Sequence, residues 1–98
     1  MSLFDTVKKV RSQLKLLDRY DMILVKWEDI VSDSSWVSNE GIEDATTAIC
    51  YSIGFLMQVE ETRIKLSYCY DFNAESGSVE VIPIGCMLSI VRLEEENE

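Results

Sequence analysis

Residues 79–93, with the sequence VEVIPIGCMLSIVRL, decide the fold of this chain. Two short apolar runs meet there at the step Pro83-Ile84-Gly85, which leaves no room for a helix between them. Proline lacks the N–H that a strand ladder needs, and glycine tolerates backbone angles that other residues avoid. The stretch therefore predicts a sharp corner between two strands. Such a corner, after several alternating strands, is typical of a small closed β-barrel.

Three more strands are predicted upstream of this corner. Residues 22–27 are apolar and β-branched apart from one lysine, which indicates a first strand. Residues 46–59 predict a long second strand, and Gly54 in its middle indicates a bulge or a bend. A tight hairpin at 60–62 leads into residues 63–71, whose apolar residues alternate with polar ones. The predicted members of one face of this third strand are Ile64, Leu66, Tyr68 and Tyr70.

The first segment, residues 1–19, predicts a helix in which Ser2 is the N-cap and Asp5 lies in the first turn. Its apolar residues recur at spacings of four and three, which places them on one face. We expect this face to dock on the chain's own sheet or on a neighbouring copy, because too few heptads are present for an isolated coiled coil. The residues of this face, which are also the predicted oligomerisation residues, are Leu3, Val7, Val10, Leu14 and Leu17.

Together these elements predict one α+β domain that is mainly β. The helix at 1–19 is followed by a five-stranded antiparallel SH3-like or Sm-like small barrel at 22–93 and by an acidic tail at 94–98. Closure of the barrel would remove exposed strand edges. The alternative is an open antiparallel sheet with the helix across one face.

Two tryptophans differ in their surroundings. Trp27 is in phase with Ile23 and Val25 and is predicted to pack in the core. Trp36 lies in a long polar stretch before a short helical turn predicted at 39–45, and long loops of this kind are often functional. A large ring in a polar loop either plugs an end of the barrel, which we favour, or faces a partner, since tryptophan is frequent at interface hot spots.

The formal charge of −9 is unevenly distributed along the 98 residues. Residues 1–19 hold five basic residues and two acidic ones, whereas the remainder holds four basic and sixteen acidic ones. Because an acidic body repels phosphate backbones, binding to duplex nucleic acid is not expected. Acidity favours solubility, a basic protein partner or mimicry of a polyanion. Asp29 and Asp33, which precede Trp36 in the sequence, are the predicted partner contacts.

The cations after the helix raise a second possibility. Arg63 and Lys65 lie on the outer face of the third predicted strand, and Lys26 and Arg92 belong to other strands. If they converge, they would form a small positive pocket for a phosphate group. Ordinary ion pairing with glutamates such as Glu80 is the alternative, and we favour it.

No catalytic constellation is present in the sequence. With 0 histidines, neither a Ser-His-Asp triad nor a Cys-His pair can form, and the 4 glycines fit no phosphate-binding loop. Adjacent carboxylates are expected to be solvated, so neither an enzyme, a metal site nor a cofactor is predicted. No apolar run approaches the length of a membrane span, and the first residues lack the order of a secretory signal.

The three cysteines, Cys50, Cys69 and Cys86, are scattered and odd in number. Free cysteines are usually buried, and thiols persist in a reducing cytosol. We therefore predict three buried free thiols. A bridge between Cys50 and Cys69, or between Cys69 and Cys86, is left open.

The order of several short motifs resembles small bacteriophage accessory proteins. The motifs are Trp27-Glu28-Asp29, then Trp36, then SIGFL at 52–56, then Ile82-Pro83, and then IVRL at 90–93. The likeness covers residues 22–93 and omits the helix. It implies an accessory gene product that acts in the cytoplasm of the host cell, and it carries no catalytic residues. Such proteins often modulate host machinery, including antiviral defence, by binding.

Three functions follow as hypotheses. The first is a non-enzymatic, homo-oligomeric binding protein that modulates a host protein through its acidic surface and Trp36. The second is an oligomeric sponge that sequesters a small cyclic-nucleotide signal in pockets between subunits, with Arg63 or Lys65 at the phosphate and Trp36 at the base. The third is a structural or assembly protein of the virion. No contact with a membrane is predicted.

Overall fold

The computed structural model of the chain describes residues 2–96, which form a five-stranded antiparallel sheet with one helix packed on it. The elements in chain order are α1 (Leu3–Leu14), β1 (Met22–Asp29), α2 (Asn39–Asp44), β2 (Ala48–Val59), β3 (Arg63–Ser67), β4 (Tyr70–Asp71), β5 (Ser76–Gly77), β6 (Glu80–Pro83), the 3-10 turn η1 (Ile84–Cys86) and β7 (Met87–Leu93). The main sheet has the order β6-β3-β2-β1-β7, and β4 pairs with β5 in a separate ribbon. The predicted α+β class, mainly of strands, is confirmed.

Helix α1 begins where the sequence predicts and ends earlier. The hydroxyl of Ser2 accepts a hydrogen bond from the Asp5 N–H at 3.2 Å, as an N-cap does. The helix ends at Leu14, so the predicted limit at residue 19 is too long. Tyr20, with φ at +74°, lies in the turn that leads into β1. No helix within residues 2–96 has the length and apolar character needed to cross a bilayer.

The apolar face of α1 docks on the chain's own sheet. Val10 and Leu14 are buried, and Val7 and Leu17 pack against the core. Arg11 Nη1 donates a hydrogen bond to the Glu61 carbonyl at 2.6 Å and ties the helix to the turn between β2 and β3. The apolar face of α1 is therefore buried by contact with the sheet of the same chain.

The core lies between α1 and the inner face of the sheet. Successive side chains of a strand point to opposite faces of the sheet, so the core residues of each strand occupy alternate positions. Burying an aliphatic side chain of this size stabilises a fold by about 1.5–3 kcal/mol. The buried apolar residues of the strands and of η1 are Ile23, Val25, Leu56, Ile64, Leu66, Ile82, Ile84, Met87 and Ile90.

The predicted corner at residues 83–85 exists, but its glycine is not what turns it. Pro83 precedes the 3-10 turn η1, and Ile84 is buried, with its N–H donating to the Thr62 carbonyl at 2.9 Å. Gly85 is exposed and has no positive φ. The corner is therefore made by a short helical turn anchored through Ile84.

The edge strands β6 and β7 meet at η1 without forming a ladder with each other. Within residues 2–96, the pairing runs from β6 to β7 through the three central strands and stops there. Because Ile84–Cys86 adopt a 3-10 turn instead of an extended backbone, β6 and β7 are two separate strands on either side of the corner. The sheet is not closed into a barrel, and the expectation of closure is not confirmed. An open antiparallel sheet with the helix on one face agrees with this arrangement.

Gly54 does not form the bulge that the sequence predicts. The register between β2 and β3 shifts between Leu56 and Gln58, whereas Gly54 lies in a regular part of the ladder opposite Ile23. A Cβ at Gly54 would lie 2.6 Å from the carbonyl oxygen of Ser67. The glycine is needed because two backbones approach closely there.

Strand β3 ends earlier than the alternation predicts. Ser67 is buried, and its Oγ donates to the Cys69 carbonyl at 2.9 Å, while Ser78 Oγ accepts hydrogen bonds from the N–H groups of Tyr68 and Cys69. These bonds turn the chain away from the sheet. Tyr68 is therefore exposed, and its predicted place on the face of Ile64 is wrong.

The predicted burial of the cysteines agrees with the structure only in part. Cys50 and Cys86 are half-buried and Cys69 is exposed, and all three are free thiols. The expectation of burial is wrong for Cys69, because it lies in the turn between β3 and β4. The acidic tail predicted at 94–98 is described only as far as residue 96, and residues 97 and 98 lie outside the described part.

Candidate functional site

The chain leaves the sheet between β1 and β2 and forms an excursion, residues 30–47, that we call the arm. The two strands pair up to Asp29 and Ala48, so the arm begins and ends at adjacent points of one ladder. It contains α2, whose N-cap Ser38 accepts a hydrogen bond from the Gly41 N–H at 3.1 Å. No residue of α2 is buried. The arm is therefore displayed by the sheet and adds nothing from α2 to the core.

Apolar side chains are exposed along the arm. Trp36 is 104% exposed, so the expectation that it plugs an end of a barrel is wrong. The indole that packs against the core is that of Trp27, whose Nε1 donates to Ser52 Oγ at 3.0 Å. Ile30 and Ile42 are 85% and 62% exposed. A fully solvated indole beside exposed aliphatic residues is a feature of partner-binding surfaces.

Carboxylates surround these apolar residues, and the sequence has no lysine or arginine from residue 27 to residue 62. Asp33 Oδ1 accepts hydrogen bonds from the Ser35 hydroxyl at 2.6 Å and from the Ser35 N–H at 2.9 Å, and these bonds hold the pKa of Asp33 below its usual value. Asp29 accepts from the Ile30 N–H at 2.8 Å. A cleft of about 400 Å³ lies beside Trp36, between Asp33 and Ile42. Of the predicted contacts, Asp33 and Trp36 thus lie on the arm, and Asp29 is the last residue of β1, where the arm begins.

Arg63 and Lys65 do not offer a free positive pocket. Glu60 binds both of them: Arg63 Nη2 lies 2.9 Å from Oε2 and Lys65 Nζ lies 2.7 Å from Oε1. Arg92 has a separate neighbour, Asp21, at 3.8 Å. Ordinary ion pairing is what the structure shows, although the partner is Glu60 and not the Glu80 that the sequence suggested.

The proposed grip on a nucleotide is not assembled in one chain. Lys65 lines a cleft of about 500 Å³ together with Arg19 and Glu75, whereas Trp36 lines the separate cleft on the arm. Lys65 is also engaged by Glu60. A site that uses both side chains would need a second subunit, so the hypothesis of pockets between subunits stays a prediction.

The ion pairs at Glu60 give a prediction about pH. Hydrogen bonds from Lys65 and then from Arg63 lower the pKa of Glu60. We expect Lys65→Gln to raise this pKa toward the usual glutamate value, measured by carboxyl ¹³C NMR titration. Because the folded-state pKa is lowered, this pair contributes stability above the unfolded-state pKa, and the contribution is lost as the pH falls through the folded-state pKa.

The contribution of this pair is small and sensitive to salt, because the side chain of Glu60 is 26% exposed and solvent screens exposed charges. Lys26→Gln is the control, since Lys26 lies over the ring of Tyr51 and has no bond to Glu60. An unchanged Glu60 titration in Lys65→Gln would contradict the assignment.

The predicted oligomerisation face is not available as a whole. Val10 and Leu14 are buried in the chain's own core, and only Leu3 of the predicted set is strongly exposed, at 65%. Residues with buried side chains cannot contact a second copy unless α1 leaves the sheet. The prediction therefore fails for Val10 and Leu14.

Sequence reasoning missed a different apolar surface, on the outer face of the sheet. Its members lie on β1, β2 and β7 and are partly or largely exposed, and we call them the outer patch: Leu24, Ile49, Tyr51, Ile53 and Val91. The sequence pattern that could have revealed this surface is in β2, where large residues occupy one set of alternate positions and small residues occupy the other. The small set, with Cys50, Ser52 and Gly54, faces the core because it lies opposite Trp27, Val25 and Ile23 of β1.

The β4–β5 ribbon covers one end of this outer face. Phe72, in its turn, packs edge-to-face on Phe55, with ring centroids 5.5 Å apart, and also contacts Tyr20 and Tyr70. The neighbouring hydroxyl of Tyr20, followed by desolvation, raises the pKa of Tyr70. The ribbon thus shelters Phe55 and leaves the outer patch open.

Within residues 2–96, no group of three or more histidine, cysteine, aspartate or glutamate side chains is arranged to hold a metal ion. Comparison of the chain with protein-family models, with curated proteins and with solved structures gives no match. The resemblance to bacteriophage accessory proteins therefore stays a prediction, and the arm is the candidate site on the strength of its own geometry.

Proposed function

We propose that this chain is a non-enzymatic binding protein that modulates a host protein in the host cytoplasm, and that the arm is its contact surface. The observation that carries the proposal is the fully exposed indole of Trp36 on a segment rich in carboxylates and without a single cation. The choice of a host protein, which includes proteins of antiviral defence, rests on the resemblance to bacteriophage accessory proteins.

The arm suits a partner with a basic surface around an apolar pocket. Carboxylates on one side and cations on the other raise the rate of encounter and exclude acidic competitors. The indole of Trp36 then supplies affinity, because buried tryptophans dominate many interfaces. Binding of this kind weakens as salt screens the charges.

We further propose that the sheet is of the SH3-like or Sm-like small-barrel type. One observation supports this: both edge strands, β6 and β7, adjoin the same 3-10 turn η1. A sheet that curls on itself brings its edges together in this way. Such scaffolds commonly display their loops for binding.

Photo-crosslinking from the arm tests the proposal. Trp36 is replaced by p-benzoylphenylalanine, and the purified protein is irradiated in a lysate of the bacterial host. We expect one host protein to be crosslinked, with a yield that falls as salt is added. The purified partner should then bind Trp36→Ala at least about tenfold more weakly than the wild type, as loss of a hot-spot residue implies.

Tyr68 provides the matched control position, because it is an aromatic residue that is 71% exposed and lies outside the arm. Crosslinking of the same proteins from positions 36 and 68, or of none from position 36, would overturn the assignment of the arm.

A further inference from the structure

The outer patch is made of large apolar side chains, as a buried sheet face would be, although it is open to solvent. Tyr51, Ile53 and Val91 are 64%, 59% and 51% exposed. Leu24 pairs with Ile53 on one side and with Val91 on the other, so three large aliphatic side chains form a row across three strands. The solvent face of an antiparallel sheet is normally polar. This row is therefore unusual for a face that has no cover.

The neighbouring rows extend the apolar surface. Tyr51 lies opposite Lys26, and Ile49 lies opposite Glu28. With strands about 4.8 Å apart and about 3.3 Å per residue, the rows from position 22 to 28 on three strands cover roughly 14 by 20 Å. This area is close to the lower end of the largest apolar patches that monomeric proteins expose, and such patches are often functional.

We propose that the outer patch binds the outer patch of a second copy of this chain. The charge of −9 makes two copies repel through most of their surfaces. The charged side chains in the rows of the patch are Lys26 and Glu28, one positive and one negative. Two copies can therefore meet there without an excess of carboxylates.

A two-fold axis fits this surface. In an isologous dimer the same patch serves both copies. When the strands of the two sheets run in opposite directions about the middle of the patch, Lys26 and Glu28 of one copy lie on the side of Leu24 and Met22 of the other, so like charges do not face each other. Two sheets packed face to face keep their strands within about 30° of each other, and their side chains interdigitate. The ring of Phe72 and the ribbon that carries it bound the contact at one end.

The dimer is weak and depends on concentration. The footprint of the patch is well below the roughly 800 Å² per partner of a standard interface. Added salt strengthens this dimer, because screening reduces the repulsion between two acidic copies and leaves the apolar contact intact. The opposite dependence holds for the binding of the arm to a basic partner, so the two surfaces can be told apart.

Analytical ultracentrifugation of the full chain tests this proposal from low micromolar to near-millimolar concentration. We expect the mass of the wild type to rise from 11.2 kDa toward twice that value, and to rise further with added salt. Ile53→Lys should weaken dimerisation at least tenfold, because it places two unpaired ammonium groups in the contact. Val81→Lys is the matched control, since Val81 is an aliphatic strand residue that is 49% exposed on the edge strand β6.

Circular dichroism establishes that both variants keep the wild-type fold, which is expected because both positions are exposed. A wild type that stays at 11.2 kDa throughout the range overturns the proposal. So does a dimer that Ile53→Lys and Val81→Lys weaken equally. A dimer that salt dissociates also overturns it, and assigns association to the basic helix α1 and the acidic arm instead.

Discussion

Gly54→Ala is expected to lower the free energy of unfolding by about 3 kcal/mol, near the upper end for an overpacked site. The added Cβ would lie 2.6 Å from the Ser67 carbonyl oxygen and 3.0 Å from its carbon, and both are backbone atoms. Ser67 cannot yield easily, because it pairs with Phe55 and its hydroxyl holds the turn at Cys69. Urea denaturation followed by tryptophan fluorescence measures the loss.

Gly85→Ala is the matched control for this substitution. No heavy atom lies within 4 Å of the Cβ that alanine would place at Gly85, and the residue has no positive φ. A glycine replaced under such conditions gains about 0.4–1 kcal/mol of stability, because the unfolded chain loses freedom. The two variants should therefore move the denaturation midpoint in opposite directions. Equal losses of unfolding free energy in the two variants would show that the close approach of two backbones is not the reason why position 54 needs a glycine.

Local patterns in the sequence were enough to place most elements. The cap at Ser2 locates the start of α1, the apolar run from residue 22 locates β1, and Pro83 locates the corner before β7. Each of these depends on a residue whose effect on the backbone is local. A short helical turn was predicted at residues 39–45, and α2 forms there at Asn39–Asp44.

Local sequence patterns could not predict which strands pair in the sheet or which face of each strand is buried. In β2 the large residues suggest an inner face, yet Ile53 is outside and Gly54 inside, because β1 presents large residues to the small ones of β2. Which face of a strand is buried depends on its neighbours in the sheet. The end of β3 was missed for a related reason, since the turn depends on Ser67 and Ser78, eleven residues apart.

The candidate site was predicted in composition but not in position. The sequence indicated Trp36 with Asp29 and Asp33, and the structure places Trp36 and Asp33 on the exposed arm and Asp29 half-buried at the end of β1. The prediction that Trp27 packs against the core is confirmed, whereas the prediction that Trp36 plugs an end of a barrel is wrong, since its indole lies in solvent. The sequence could not predict that Glu60 would bind both Arg63 and Lys65, because that depends on how the hairpin at 60–62 folds.

The arm and the outer patch differ in charge and lie on different parts of the molecule. One chain can therefore bind a host protein through the arm and a second copy through the patch at the same time. The arm is charged and begins beyond Asp29, whereas the patch is nearly neutral and lies on the strands themselves. A dimer formed through the patch would carry two arms. If the partner also has two sites, the second contact becomes intramolecular and the apparent affinity rises without any new contact.

Replacing residues 30–47 by Asn-Gly is expected to abolish capture of the host partner while the sheet stays folded. Asp29 and Ala48 face each other at the end of the β1–β2 ladder, which is the geometry that a two-residue hairpin closes. α2 has no buried residue, and the loss of the hydrogen bond from Thr47 to Glu28 removes one exposed contact. A shorter connection also costs less closure entropy, so the midpoint of urea denaturation should be unchanged or slightly higher.

The functional half of this prediction is measured with the host protein that position 36 crosslinks. The shortened chain should show no binding to it, and Tyr68→Ala, which changes an exposed ring outside the arm, should bind as the wild type does. Wild-type affinity in the shortened chain would mean that the contact surface lies on the sheet or on α1. Loss of folding would mean that the arm supports β1 and β2 in spite of its exposure, and the site would then have to be sought among residues that the core does not need.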